Sequence, residues 1–542
     1  MLNEIEVPSV TKVHFKNDAR KRLYEGLEIA AEAVCCTLGP KGKTVLIQKK
    51  DENPIVTKDG VTVSKSIKLK DPMKRMGAAL VKEAASQTND VAGDGTTTST
   101  VLTHSMVKEG LKLLEAGYSA KGLCEGIEVA RSMVDSILVS SSRQLSTSEE
   151  IAQVGTISAN GDRKIGELIA SAMEKVGKDG IITVEDAKGM ATTLEVVEGM
   201  QFDRGYLSPY FVTNQDKMNV SYQDARVLLT DRKLSNLREL IPLLEKVLQS
   251  RQPLVIIADD VEGEALQGLV LNRVNANLPV VAVKAPGYGR HKDELMTDMS
   301  ILTGAKIASP TTGIKLDSLT VNDLGVLKRV VVDSKSTTLV GSGTTRRAID
   351  EHVQNLRLQL QDVTLSVDEV VKLKTRIAKL ASGVAVIKVG GATEVEMVEK
   401  KYRIEDALNA TRAAAEEGIV PGGGMALVRI ADQLRDRFEN LSTRDAMMGA
   451  TIVMKACYAP LRRIAENAGV IPEVIFKELN ENVNLGYNAA TGEYVDLLAA
   501  GIIDPCKVTR TAMKNASSVA VTFLSLDAVI VEDDTPVEKE VL

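Results

Sequence analysis

"GVAVIKVGGATEVEMVEKK", residues 383–401, changes character at its midpoint. Its first half is a continuous run of Val, Ile and Ala between glycines, the pattern of a strand buried on both faces. Past Gly391 the chain reads as long and helical. Upstream, "PLVIIA" (253–258), "PVVAV" (279–283) and "RVVVD" (329–333) repeat the first pattern and alternate with helical segments. This is an α/β layer.

The N-terminal section differs. Residues 17–38 read as a helix, with Asn17 and Asp18 as caps and Leu23, Leu27, Ala30 and Val34 on one face. "LGPKG" (38–42) ends it, because Gly39-Pro40 does not continue a helix. "KTVLIQ", "DENP" and "IVTKDG" form a hairpin with a polar turn. A second helix follows "AGDG" and runs to about Gly117, with Leu102, Met106 and Leu113 on one side; residues 120–180 are again helical. The order is therefore helical, α/β, helical, and the middle section is expected to be an insertion that splits the flanking domain.

Composition narrows the function. The 542 residues are 44% hydrophobic and 26% charged, ordinary for a globular chain of several domains. With a net charge of −6 and no basic stripe, electrostatic nucleic-acid binding is not expected, and 3% aromatics without Trp argues against base stacking. Five cysteines without CxxC spacing fit no disulfide framework and read as structural thiols of a reducing compartment. Four histidines lack zinc spacing. No apolar run is long enough to span a membrane, and "MLNEIEVPSV" is no secretory signal, so a cytoplasmic location is expected. The end, "VEDDTPVEKEVL", reads as a solvated tail.

The chemistry concentrates in "AGDGTTTST", residues 92–100. Gly93 and Gly95 allow a tight turn and close approach to a ligand. The helix that follows offers free N–H groups and a dipole to an anion, and Thr96, Thr97 and Thr98 add hydroxyls. Asp94 repels a phosphate unless a Mg²⁺ stands between them. "TLGPKG" (37–42) and "PGGG" (421–424) are further close-approach turns, and neither is a Walker motif. Read alone, "DGTTT" reads first as a helix N-cap, and Asp59 in "TKDG" and Asp406 in "RIEDALNATRAAAEEG" read first as solvated acids.

Together these stretches resemble the GroEL-type, or group I, chaperonins. "TLGPKG", "VTKDGVTVSK", "QTNDVAGDGTTTSTVL", "VGTISANGD", "VEGMQFDRGYLSPYF", "VIIADDVEGEAL", "GVAVIKVGGATEVEMVEKK", "EDALNATRAAAEEGIVPGGG", "GYNAATGEY" and "GIIDPCKVTRTA" follow the family's order from about residue 12 to 528. The resemblance implies a multidomain α and α/β chaperonin fold. Its parts are a helical equatorial ATPase domain (1–141 and 417–542), an α/β intermediate domain (142–198 and 384–416) and an inserted α/β apical domain (199–383). It also implies a heptameric homo-oligomeric ring, single or double, unfolded protein clients, a GroES-type co-chaperonin, and ATP, Mg²⁺ and K⁺ as cofactors.

Site residues follow by the same resemblance. Thr37, Leu38 and Gly39 would line the phosphates, Gly95, Thr96, Thr97 and Thr98 would hold phosphate oxygens, and Pro40, Lys58 and Ile157 would belong to the cofactor site. Asp94 would coordinate Mg²⁺, and the backbone carbonyls of Thr37 and Lys58 resemble a K⁺ site. Asp406 would act on the attacking water, supported by Asp59. Gly423, Asn488, Ala489, Ala490, Ile502 and Asp504 would receive the nucleoside, Asp504 through the ribose. These acids being intact argues against a relative that has lost hydrolysis. "NLRELIPLLEKVL" (236–248), with Pro242 inside it, and "EGEALQGLVLNRV" (262–274) are apolar nearly all round, hence buried or sticky. Ile241, Leu244, Leu266, Val270 and Leu271, with Tyr206, Tyr210 and Phe211, resemble the groove that binds clients and the co-chaperonin.

Several features depart from the family. The Gly-Gly-Met tail is replaced by Glu532, Asp533, Asp534, Glu538 and Glu540; no proline stands near Gln144; the paired-glycine hinge is Ser382-Gly383, while Gly199 and Gly418 remain as pivots. Many members pair rings through the arginine of "APLR" and a glutamate before a nearby proline. Here Arg462 is present, but Ile471 takes the glutamate's place.

Overall fold

A computed structural model of the chain describes residues 10–48, 54–159, 161–177, 180–187, 189–215, 218–360, 366–434, 437–438, 441, 443–482 and 485–533. They divide into two compact units. One holds the described residues up to Ser171, residues 189–190 and those from Val389 onward; the other holds Ala172–Ala187 and Ala191–Lys388.

The first unit is mainly helical. Helices Lys16–Cys35, Pro72–Ala92, Thr96–Glu115, Ala120–Ser141, Arg444–Cys457 and Cys506–Ser525 surround a core that includes Leu23, Leu27, Leu102, Met106, Ile127, Val453 and Phe523. With few aromatics to fill space, this core closes by bringing backbones together. Where Ala120–Ser141 crosses Arg444–Cys457, a Cβ on Gly126 would lie 1.9 Å from the Ala446 carbonyl oxygen, and one on Gly449 would lie 2.1 Å from that of Leu123. Gly126→Ala must therefore push the helices apart. The expected cost is about 1–3 kcal/mol, as for an overpacked core, offset by at most about 1 kcal/mol of helix propensity. Calorimetry should show this unit melting earlier; unchanged melting would mean that the crossing widens freely.

The first helix starts at Lys16, and neither Asn17 nor Asp18 caps it: Phe15 holds the extended N-cap position without a side-chain hydrogen bond. Strand Val10–Phe15 runs straight into this helix, pairing antiparallel with Ala528–Asp533, and Lys16 donates its N–H to the Asp527 carbonyl at 2.7 Å. Tertiary pairing thus does the work of a cap. The helix ends at Cys35 rather than residue 38, because the chain turns there and Gly39 takes a left-handed φ of +86°. The same terminal pairing corrects the tail: Val531, Glu532 and Asp533 belong to a strand, with Val529 and Val531 buried. The tail from Asp534 on, with Glu538 and Glu540, lies outside the described residues.

The second unit is α/β. Its seven-stranded sheet runs in the order Val280–Lys284, Leu254–Ala258, Val220–Thr230, Gly325–Val332, Thr337–Gly341, Gly199–Phe202, with Ile307–Ala308 also on Val220–Thr230. The first three strands are parallel, Ile307–Ala308 also pairs parallel with Val220–Thr230, and the remaining pairs are antiparallel. Leu254–Ala258 is buried along its whole length, which is why it reads as an unbroken apolar run. A three-stranded sheet joins Ile181–Asp186, Val384–Val389 and Thr193–Val197. Gly199 and Gly383 are held tightly here: a Cβ would lie 2.4 Å from Val384 Cγ2 at the first and 2.6 Å from the Val197 carbonyl oxygen at the second.

Candidate functional site

The turn at residues 92–96 is made by two glycines. Helix Pro72–Ala92 ends in Gly93 at φ +70°, and helix Thr96–Glu115 starts from Gly95 at φ +84°. Gly95, not Asp94, is the N-cap, and no side chain caps the helix. Its first N–H groups and its dipole are left for an anion. Asp94 is used otherwise. Its Oδ1 accepts the Gly95 N–H at 2.5 Å and its Oδ2 accepts the Ser158 hydroxyl at 3.1 Å.

Two distant stretches close on the same threonines. Thr37 Oγ1 donates to the Val34 carbonyl at 2.8 Å and lies 3.4 Å from Thr97 Oγ1, which sets "TLGPKG" beside "DGTTT". A Cβ on Gly60 would lie 2.6 Å from Thr97 Oγ1 and 2.9 Å from Thr96 Oγ1, so the turn after Lys58 also touches them. Asp59 N-caps helix Gly60–Ser66, accepting the Val61 N–H at 3.0 Å and the Thr62 N–H at 2.9 Å. Thr98 is half-exposed beside Thr97, and Pro40 is exposed at the edge of its turn.

Helix Glu394–Glu417 carries the half-buried Asp406. It packs against the Gly93 turn, where Asn409 Nδ2 donates to the Gly93 carbonyl at 3.4 Å and a Cβ on Gly93 would lie 2.4 Å from Asn409 Cβ. Asp406 stands three residues before Asn409, on the same helical face. The helix also packs on strand Ile55–Thr57, which leads into Lys58 and Asp59.

Asp504 enters on strand Ile503–Pro505, opposite Val420 of Ile419–Pro421. The N–H groups of Gly423 and Gly424 donate to its carboxylate. Burial raises its pKa to about 7, the negative charge of Asp94 adds to the rise, and the two N–H groups oppose it. Burial likewise raises the pKa of Asp94, with Asp59 adding to the rise and the Gly95 and Ser158 hydrogen bonds opposing it. Asp94 thus lies within electrostatic reach of both Asp59 and Asp504, a place that favours a cation.

Leu38, Ala489 and Ile502, far apart in sequence, join one apolar cluster with Met425, Leu461, Ile464 and Tyr487. Asn488 shapes the adjoining hairpin, its Oδ1 accepting the Ala490 N–H at 3.0 Å, and Ala490 is exposed at the tip. Ile157 is exposed on helix Ser148–Ser158, next to the residue that holds Asp94. An apolar cluster, glycine turns and acids are thus brought side by side. Among the described residues no three His, Cys, Asp or Glu converge to hold a metal by themselves. A single carboxylate fits Mg²⁺, which takes most of its ligands from phosphate and water.

Sequence reasoning missed Ser158 and Asn467. Asn467 Nδ2 donates to the carbonyls of Cys35 (3.0 Å) and Leu38 (2.9 Å) and so fixes the "TLGPKG" turn. Ser158 had a signal, since it follows Ile157 within "VGTISANGD"; Asn467 had none.

In the α/β unit the expected groove residues differ in exposure. Phe211 is 0% and Leu244 9% exposed; both belong to the core, because the turn Pro209–Phe211 and helix Ile241–Ser250 point them inward. Pro242 does not break that helix, since it occupies its first turn, where no N–H is needed. Tyr206, Leu266 and Val270 are half-buried against the same core. Ile241 (41%), Leu271 (58%) and Tyr210 (70%) are exposed, and so are Leu248 and Val274, which the sequence reading left out.

A sequence model described as the TCP-1/cpn60 chaperonin family matches residues 30–534. The chain belongs to that family. A chaperone role follows from membership. Among solved structures, this chaperonin is similar to the chaperonin gp146 from the bacteriophage EL 2 (Pseudomonas aeruginosa), determined in the presence of ATP-BeFx. The two share 22% identity with a TM-score of 0.66, over 96% of this chain and 99% of that one. That likeness establishes the chaperonin fold. Cys35, Cys36, Cys124, Cys457 and Cys506 are all free thiols, and no helix among the described residues is long and apolar enough to cross a membrane.

Proposed function

We propose that this chaperonin is an ATP-driven protein-folding machine of the GroEL-type, group I, subclass. The carrying observation is the convergence of Thr37, Gly60, Asp94 and Thr97 at one helix N-terminus, with Asp504 coupled to Asp94. Triphosphate would lie along the free N–H groups of Thr96–Glu115 and the hydroxyls of Thr96, Thr97 and Thr98, bordered by Gly39, Pro40 and Ile157. Asp94 would hold Mg²⁺, which when bound neutralises the phosphates. The carbonyls of Thr37 and Lys58 would hold K⁺. The base would rest on Ala489 and Ile502, with Asn488, Ala490 and Gly423 around it and Asp504 on the ribose, while Leu38 would line the phosphates with Thr37. Asp406 would orient the water, with Asp59 behind it.

Domain boundaries are proposed as the resemblance implies, with Gly199 and Gly418 as pivots of an intermediate domain. Rings of seven subunits would capture unfolded proteins on the exposed apolar residues of helices Ile241–Ser250 and Gly263–Asn275, and a GroES-type partner would close them. Measuring ATPase with and without unfolded protein tests this reading: no turnover, or turnover indifferent to clients, would overturn it.

Ring pairing is expected to be weak. Arg462 pairs within its own chain with Glu473 and lies 5.4 Å over the Phe476 ring, while Ile471 is 64% exposed. The family's cross-ring partner is absent, and Arg462 is already engaged. An exposed salt bridge contributes only ~0–1 kcal/mol, but its repetition around a ring adds up. Sedimentation at dilute protein should show single rings in at least one nucleotide state, and Ile471→Glu should shift them towards pairs. Stable double rings in every state would refute this.

A further inference from the structure

We propose that Ser158 is a positioning residue for Asp94 and thereby sets the Mg²⁺ affinity of the nucleotide site. The inference rests on the nucleotide reading above. Each oxygen of the Asp94 carboxylate has one partner: the Gly95 N–H on Oδ1 and the Ser158 hydroxyl on Oδ2. The first comes from the neighbouring residue in the same turn. The second reaches across from another helix and ties the carboxylate to it.

Ser158 is itself held in place. It is the last residue of helix Ser148–Ser158, whose start is fixed by a capping box of Thr147 and Glu150, with Glu150 in an ion pair with Arg143 at 2.7 Å. Further along, Gly155 packs on Gly166 and Thr411, and Gln153 fills the space beside Gly501, where a Cβ would lie 2.6 Å from Gln153 Cδ. Thr411 lies on the helix of Asp406, and Gly501 precedes the strand of Asp504. The orientation of Asp94 therefore depends on the seating of the two elements that carry the other acids.

Outer partners of a metal-ligating carboxylate typically change metal affinity by about 10- to 100-fold when removed. In Ser158→Ala the free Mg²⁺ needed for half-maximal ATP binding, read by calorimetry at stepped Mg²⁺, should rise about tenfold or more. Electron paramagnetic resonance of Mn²⁺-ATP should show the same weakening. Ser158→Thr keeps the hydroxyl and should stay within about twofold of wild type, and melting without metal or nucleotide should be unchanged in both. A merely structural serine would instead lower melting and leave Mg²⁺ dependence unmoved; that result, or an unchanged Mg²⁺ requirement in Ser158→Ala, overturns the positioning role alone. A wild-type chain that binds no Mg²⁺-ATP overturns the nucleotide reading as well.

Discussion

Asp406→Ala is expected to lower ATP turnover by roughly 10²-fold or more, the usual range for a group that orients or deprotonates the reacting water. ATP affinity should stay near normal. Asp406 approaches the site from helix Glu394–Glu417, one turn before the Asn409 contact with Gly93, whereas the hydroxyls and free N–H groups that would hold phosphate belong to the Thr96–Glu115 side. Losing it should remove an interaction made in the transition state and spare ground-state binding. Asp94→Ala should do the opposite, weakening Mg²⁺-dependent ATP binding itself. Single-turnover hydrolysis together with equilibrium binding separates the two. Retention of most turnover in Asp406→Ala would refute its role on water, and unchanged nucleotide affinity in Asp94→Ala would refute the metal assignment.

Loss of client capture is the second large effect. Leu271 is 58% exposed and Val274 56% on helix Gly263–Asn275, so Leu271→Ser and Val274→Ser should leave folding and ATPase near wild type while abolishing binding of an unfolded protein. Leu266→Ser and Val270→Ser should also abolish capture, with some loss of stability, because both side chains pack on the core. Phe211 and Leu244 differ: truncating a buried side chain of that size costs ~2–5 kcal/mol, so their variants should melt earlier. Binding of a denatured reporter protein, beside melting curves, decides. Full capture by Leu271→Ser and Val274→Ser together would show that the surface lies elsewhere.

Much of this was legible in the chain. Val and Ile runs marked the sheet strands because burial on both faces demands unbroken apolarity, and Leu102 and Met106 marked the helix after the glycine turn because one face alone is buried. The turn of "AGDGTTTST" was legible because Gly93 and Gly95 take left-handed φ values there, +70° and +84°. Its ambiguity was local: an Asp before a helix is equally a cap, and that is what Asp59 is and Asp94 is not.

What periodicity could not supply was long-range placement. Strand Val10–Phe15 starts the first helix because Ala528–Asp533, at the other end of the chain, supplies its hydrogen bonds. Ser158 reaches Asp94 across 64 residues, and Asn467 reaches Leu38 across 429. Inward or outward orientation was equally hidden in helices apolar all round: Leu244 and Leu248 are the same residue type one turn apart, yet the first is buried and the second exposed. Residue type and spacing carry the local preferences of a segment, because sterics and burial act on neighbours. Which side of that segment meets the core, and which distant hydrogen-bond donor meets which acid, follows only from how the whole chain packs.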